Sequence, residues 1–170
     1  MIERASNILI LLILIIGISF FPRIGCASEL NQPSPALKGN ELDGTLFDIA
    51  TLKGKVVIVH FWATWCSACR DEMPILDTIY QKDHLSGLEI LGMSIDRLQA
   101  RDEVRKTIST FHFPTAMLRE TQLNEFGFPH SLPLTYIIDR NNIIRTILSP
   151  ETTPLTEQTL EKALAPLLKE

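Results

Sequence analysis

Two cysteines, Cys66 and Cys69, are separated by only two residues and are the most obvious candidates for chemistry in this sequence. A zinc site normally needs four ligands, often as two pairs, but there is no second cysteine pair and the four histidines are scattered singly. A permanent disulfide here would close so short a loop that it would hardly restrict the unfolded chain. The spacing favours a reversible dithiol, in which one sulfur attacks a disulfide and the other resolves the product.

The segments on either side of the pair predict a place where a thiolate would be stabilised. Residues 56–62 (VVIVHFW) are apolar on both alternating faces except at His60, which indicates a central strand covered on both sides. Residues 67–84 carry apolar side chains at three- and four-residue spacing, which indicates a helix. Cys66 would then lie at the start of that helix, where free backbone N–H groups and the helix dipole favour an anion.

The rest of the chain predicts an α/β fold with a central mixed β-sheet. Strands and helices alternate early in the chain, which favours parallel pairing, and a hairpin near the end adds antiparallel strands. We expect helices on both faces of the sheet and a β extension at the N-terminus. The predicted elements are a short strand at 45–49, a buried strand at 88–95, a helix at 100–110, a short strand at 115–118, a helical turn or two at 121–126, hairpin strands at 134–139 and 143–148, and a closing helix around 160–168.

The first residues have the layout of a secretory signal. Residues 8–21 are almost entirely apolar and follow Arg4, although a membrane span usually needs roughly 20 residues. Three outcomes stay open: cleavage after Ala27, acylation of Cys26, or retention of residues 8–21 as a membrane tether. Each is extracytoplasmic, in the periplasm or on the outer face of the cytoplasmic membrane. The expected organisation is a signal peptide or anchor at 1–27, a linker at 28–37 and a folded domain at 38–170.

Composition and charge fit one globular domain with no nucleic-acid partner. The chain has 170 residues, of which 45% are hydrophobic and 21% are charged, and these values are typical of a single folded domain. Beyond residue 27 there are 14 lysines and arginines against 19 aspartates and glutamates, so no basic patch is expected. In that part of the chain the two close cysteines stand alone, which is too few for a disulfide framework.

The stretch KGKVVIVHFWATWCSACRDEMPIL resembles the TlpA/ResA branch of thioredoxin-like proteins, which typically reads GKVVLVNFWATWC-x-x-CR-x-E-x-P. The resemblance continues through LEILGMSID and FGFPHSLPLTYIIDRNNII and covers roughly residues 33–168. Members are exported or membrane-tethered thiol–disulfide oxidoreductases, and many act in cytochrome c biogenesis. The resemblance implies a thioredoxin-like fold, no bound metal or small cofactor, disulfide-bearing protein substrates such as apocytochrome c, and a membrane electron donor of the DsbD/CcdA type.

The same resemblance assigns roles around the motif. Cys66 would be the attacking nucleophile and Cys69 the resolving cysteine. Leu132 and Pro133 match the family's cis-proline loop, which faces the cysteines and offers backbone groups to an extended substrate; a cis X-Pro bond is an uncommon and specified feature. Trp65 would lie on the rim of the site, where its ring can pack against a substrate chain.

Two titratable neighbours leave alternatives open. Glu72 lies three residues after Cys69, on the same helix face, and is either the family's modulator of cysteine proton transfer or a solvated charge near a helix start. His60 stands where thioredoxins carry a buried aspartate and this branch often has asparagine. It is either a neutral core histidine with both ring nitrogens paired or a proton relay to Cys69.

The predicted function is reduction of protein disulfides outside the cytoplasm. Ser67 and Ala68 differ from the proline-containing pairs that are common in the family, so an oxidant or isomerase is the alternative within the same chemistry. From another class, a chaperone or Cu(I) carrier could use the thiolates as soft ligands, but no methionine- or histidine-rich stretch lies nearby. A peroxidase, which would depend on a single reactive thiol, fits a close pair less well.

Overall fold

The structure is a computed structural model and describes residues 29–169. The proposed signal or anchor at 1–27, with Cys26 and the apolar run at 8–21, lies outside the described residues. Within residues 29–169, no helix is both long enough and apolar enough to span a membrane.

Eight strands and three α-helices follow one another between residues 29 and 169. Four short 3₁₀ helices, at Ile49–Leu52, His84–Ser86, Leu98–Ala100 and Leu118–Glu120, lie between them. The elements are β1 (Leu37–Asn40), β2 (Leu46–Asp48), β3 (Val56–Trp62), α1 (Ser67–Asp83), β4 (Leu88–Ser94), α2 (Arg101–Ile108), β5 (Thr115–Met117), β6 (Leu123–Asn124), β7 (Leu134–Ile138), β8 (Ile144–Leu148) and α3 (Glu157–Leu168).

The main sheet has five strands in the order β5-β4-β3-β7-β8. β3 pairs with β4, and β4 with β5, in parallel, whereas β7 pairs with β3 and β8 in antiparallel fashion. A second, antiparallel sheet has the order β2-β1-β6. The mixed central sheet and the N-terminal β extension are therefore as the sequence predicts.

Alternation of apolar residues along β3 divides the interior into two cores. Ile58 and Trp62 face one core, and Val59 and Phe61 face the other, as expected for a strand with side chains on both sides. All three α-helices contribute to the first core, through residues that include Met73, Leu76, Val104, Leu160 and Leu164. The second core is closed by Leu37 and Phe47 of the small sheet and by Ile49 and Leu118 of two 3₁₀ helices.

The predicted helical turn at 121–126 is wrong. A 3₁₀ helix ends at Glu120, and β6 then pairs with β1, so that Leu123 opposes Lys38. The backbone N–H groups of residues 122 and 125 donate to carbonyl groups of residues 38 and 36. These partners lie more than 80 residues away along the chain, and such tertiary pairing overrides local preference.

Candidate functional site

Cys66 and Cys69 form a disulfide at the junction between β3 and α1, with their Cα atoms 5.3 Å apart. Cys66 is the N-cap residue of α1, and the backbone N–H of Cys69 donates to Cys66 Sγ at 3.1 Å. Cys69 is fully buried, whereas 8% of Cys66 is exposed. A sulfur at this position receives a backbone donor and the positive end of the helix dipole, which stabilise a thiolate once the disulfide is reduced.

The two tryptophans of the motif differ sharply in exposure. Trp62, the last residue of β3, is fully buried in the first core. Trp65 is 69% exposed although it directly precedes the buried Cys66. An aromatic ring exposed beside a reactive sulfur offers a partner chain a large apolar contact.

The Leu132–Pro133 peptide bond is cis, as predicted. It lies immediately before β7, whose first residue, Leu134, opposes Phe61 near the C-terminal end of β3. Pro133 is buried and Leu132 is half-buried. The loop therefore lies at the same edge of the sheet as the cysteine pair.

Glu72 is buried, with only 8% of the residue exposed, so the interpretation of it as a solvated surface charge is wrong. Its carboxylate accepts a hydrogen bond from the backbone N–H of Leu155, and burial raises its pKa to about 7. The other oxygen, Oε2, has no hydrogen-bond partner among residues 29–169. A carboxyl group that titrates near neutral pH, one helical turn from Cys69, can take up or release a proton there.

His60, on β3, is completely buried. Its Nδ1 lies 2.8 Å from Thr135 Oγ1 on the neighbouring strand β7 and 4.0 Å from Glu72 Oε2. Burial lowers the pKa of His60 to about 3, so the ring is neutral at physiological pH. His60 is thus a neutral core histidine, one of the two alternatives predicted, but only one ring nitrogen is paired, because Nε2 has no partner among the described residues.

No metal site accompanies the cysteines in the part of the chain that the structure describes. Between residues 29 and 169 there is no group of three or more His, Cys, Asp or Glu side chains that could hold a metal ion.

One buried residue near the cysteine pair in the fold, Asp96, was not predicted from the sequence. It lies two residues beyond the end of β4. An aspartate after a strand is common in turns, and its partners become visible only in the folded structure.

The comparisons with known proteins agree with this geometry. The family model described as AhpC/TSA family matches residues 30–147. Thiol-disulfide oxidoreductase ResA from Bacillus cereus is 27% identical over 137 residues, which cover 79% of this chain and 78% of that protein. Thioredoxin-like protein YneN from Bacillus subtilis is 30% identical over 118 residues, which cover 68% of this chain and 69% of that protein.

Solved structures support the same fold. The crystal structure of a thiol:disulfide interchange protein of the thioredoxin family from Chlorobium tepidum TLS superposes with a TM-score of 0.67 at 24% sequence identity. The superposition covers 84% of this chain and 99% of that one. At that identity the likeness concerns the fold alone.

Proposed function

Because this chain belongs to the AhpC/TSA family and is a thioredoxin-fold thiol–disulfide oxidoreductase similar to ResA, we propose that it reduces protein disulfides outside the cytoplasm. The observation that carries the proposal is the placement of Glu72, buried with a pKa raised to about 7, one helical turn from the buried Cys69. A proton acceptor at that position suits the second half of a disulfide reduction, in which a buried thiol must become a nucleophile.

The first step is attack by the Cys66 thiolate on a substrate disulfide. A bond forms between Cys66 Sγ and one substrate sulfur, and the other substrate sulfur leaves as a thiolate. The N-cap position of Cys66 and the N–H of Cys69 support this role, because both favour the thiolate form.

The second step resolves the mixed disulfide. Glu72 takes the proton of the Cys69 thiol, and the resulting thiolate attacks Cys66 Sγ, which restores the Cys66–Cys69 disulfide and releases the second substrate thiolate. Two electrons have then passed to the substrate, and a separate dithiol donor must reduce the pair again. We expect no resident metal or small cofactor, because the two sulfurs carry the electrons.

The substrate would lie across the rim formed by Trp65 and the Leu132–Pro133 loop. Trp65 offers a largely exposed ring, and the loop lies at the same edge of the sheet, next to the end of β3. We propose that the indole packs against apolar side chains of the substrate while backbone groups of the loop bind its extended main chain.

The apolar run at 8–21 supports export or tethering to the outer face of the cytoplasmic membrane. In that setting the substrates would include proteins with exposed disulfides, of which apocytochrome c is the candidate that the family resemblance suggests. The electron donor would be a membrane protein of the DsbD/CcdA type.

Two other functions use the same cysteines. An oxidant or isomerase would differ in the equilibrium potential of the pair, since potential decides the direction of electron flow. A Cu(I) carrier or chaperone would use the two thiolates as ligands. Stoichiometric copper binding by the reduced protein, without reduction of insulin disulfides, would support the carrier.

The experiment that tests the proposal is capture of mixed disulfides with Cys69→Ser. Without the resolving thiol, partner proteins should remain attached to Cys66 and be released by a small dithiol. Cys66→Ser is the matched control, because it removes the attacking sulfur and should capture nothing. If Cys69→Ser retains no partner in the cells that make this protein, the protein-reductase proposal fails.

A further inference from the structure

Asp96, the buried residue after β4, is hydrogen-bonded through both carboxylate oxygens. Oδ2 accepts from the backbone N–H of Thr64 at 2.9 Å and from the hydroxyl of Ser94 at 2.8 Å, while Oδ1 accepts from the Thr64 hydroxyl at 2.8 Å. The N–H of Asp96 in turn donates to Ser94 Oγ at 3.1 Å. Thr64 lies two residues before Cys66, and both its backbone N–H and its hydroxyl are therefore hydrogen-bonded to Asp96, just beyond the end of β4.

The remaining polar group of Thr64 is hydrogen-bonded to α1. Its carbonyl oxygen accepts a hydrogen bond from Arg70 Nη1, and Arg70 is the residue of α1 that directly follows Cys69. We call Thr64 with Ser94, Asp96 and Arg70 the Thr64 clamp. It ties the loop before the cysteines to β4 and to α1 without passing through the disulfide.

We propose that Asp96 is a positioning residue for disulfide exchange, which keeps Cys66 at the N-terminus of α1 when the disulfide is open. Reduction breaks the sulfur–sulfur bond between Cys66 and Cys69, and the clamp then holds Cys66 Sγ near the N–H of Cys69, 3.1 Å away in the oxidised protein. That donor favours the thiolate only while the sulfur stays in place. The inference deepens the proposed function and rests on it for its biological meaning.

The clamp acts on geometry, but several titratable or charged side chains also belong to this part of the fold. Arg70 and Glu72 lie on α1 within three residues of Cys69, His60 lies on β3 with Nδ1 4.0 Å from Glu72 Oε2, and Asp96 lies just beyond β4. A substitution of Asp96 therefore changes one charge as well as the loop. Substitutions of the uncharged Thr64 separate the two effects, because they alter the clamp alone.

The test measures how fast iodoacetamide modifies Cys66 in the reduced full chain across pH 5 to 9, read by mass spectrometry of the Cys66 peptide. Thr64→Val should slow modification at pH 7 by about threefold to tenfold, equivalent to half to one unit in the midpoint of the profile. Asp96→Asn should slow it by less, because the loss of a nearby negative charge by itself favours the thiolate. Thr64→Ser keeps the hydroxyl and should restore a profile like that of the wild type.

A matched control is available at the opposite edge of the sheet. Asp139, also buried, accepts from the backbone N–H groups of Asn141 and Ile143 and from Arg145 Nε. Asp139→Asn should destabilise the protein in urea without moving the alkylation profile. A profile that shifts as much in Asp139→Asn as in Asp96→Asn would overturn the inference, because the effect would then follow stability.

Unchanged modification rates in both Asp96→Asn and Thr64→Val would also overturn it. If Asp96→Asn does not fold, Thr64→Val decides the matter, since it keeps the N–H bond to Asp96 and loses only the hydroxyl bond. Alkylation needs neither a substrate protein nor an electron donor. Failure of this inference is therefore distinct from failure of the proposed reductase function, which the capture of mixed disulfides tests.

Discussion

His60 Nδ1 lies 4.0 Å from Glu72 Oε2, so these two titratable side chains approach each other without forming a hydrogen bond. Burial acts on them in opposite directions, lowering the pKa of His60 to about 3 and raising that of Glu72 to about 7. Both groups are therefore mainly neutral between those pH values. Near neutral pH it is the carboxyl group that changes protonation, which favours Glu72 over His60 as the proton acceptor for Cys69.

Replacing Glu72 should slow resolution and spare the first attack. In Glu72→Gln the mixed disulfide should form at the normal rate and then persist, because no carboxylate takes the Cys69 proton; a loss of roughly a hundredfold is expected for a general base. Rapid quenching with acid and mass measurement would follow both steps. Asp71→Asn, which removes the neighbouring exposed carboxylate, is the control. Equal resolution rates in Glu72→Gln and wild type would count against this assignment.

Replacing His60 with asparagine should leave the pH midpoint of disulfide exchange unchanged. A relay must take up a proton, and the pKa of about 3 means that the imidazole does so only far below the pH at which exchange is measured. The rate of insulin reduction from pH 5 to 9 is the measurement. A midpoint that moves in His60→Asn, but not in the control His130→Asn, would show that His60 does act as a proton relay to Cys69.

The two buried groups should give opposing contributions to stability between pH 4.5 and 6.5. The pKa of His60 in the folded state lies below its ordinary value of 6.5, so its contribution is complete above 6.5 and is lost as the pH falls toward about 3. The pKa of Glu72 lies above its ordinary 4.5, so the folded state gains stability as the pH falls from about 7 to 4.5.

Single variants should separate these contributions. As the pH falls from 6.5 to 4.5, His60→Asn should gain stability relative to wild type and Glu72→Gln should lose it, each by roughly 1–2 kcal/mol. Urea unfolding at the two pH values gives the free energies of unfolding. If the free energy of unfolding changes equally with pH in the wild type and both variants, the burial of His60 and Glu72 does not control the pH dependence of stability.

Removing the exposed indole should weaken the reduction of proteins and leave the fold intact. Trp65→Ala should change the free energy of unfolding by less than about 0.5 kcal/mol, as is usual for exposed positions, and raise KM for insulin several-fold. Leu85, which is 97% exposed in the 3₁₀ helix before β4, supplies the control Leu85→Ala. Reduction of a small aromatic disulfide reagent should be unaffected by either change. An unaltered KM for insulin in Trp65→Ala would show that the indole does not contribute to substrate binding.

Much of the fold could be predicted because its central elements carry uniform local signals. β3 is almost wholly apolar, β4 is rich in large apolar residues, and α1 repeats apolar residues at helical spacing, so their bounds agree closely with those predicted. Residues 121–126 could not be predicted, because their conformation depends on pairing with β1, which is distant in the sequence. Local propensity carries no information about such a partner.

The chemistry of the motif could be predicted, whereas the surroundings of its titratable groups could not. The spacing of Cys66 and Cys69 at a strand–helix junction indicates a redox pair by itself. The carboxylate of Glu72 is buried and accepts a hydrogen bond from the backbone N–H of Leu155, which follows 83 positions later in the sequence. The role of Asp96 depends on the parallel pairing of β3 and β4, which brings Thr64 within hydrogen-bonding distance.

The equilibrium potential of the Cys66–Cys69 pair tests most directly the claim that this protein donates electrons to protein disulfides. The full chain would be equilibrated with glutathione buffers of graded composition, quenched with acid, and its oxidised fraction measured from the mass of the Cys66–Cys69 peptide. We predict a potential more negative than roughly −200 mV, in the range of glutaredoxins and thioredoxin. A less negative value, toward the roughly −120 mV of a strong protein oxidant, would contradict the proposed reductase function.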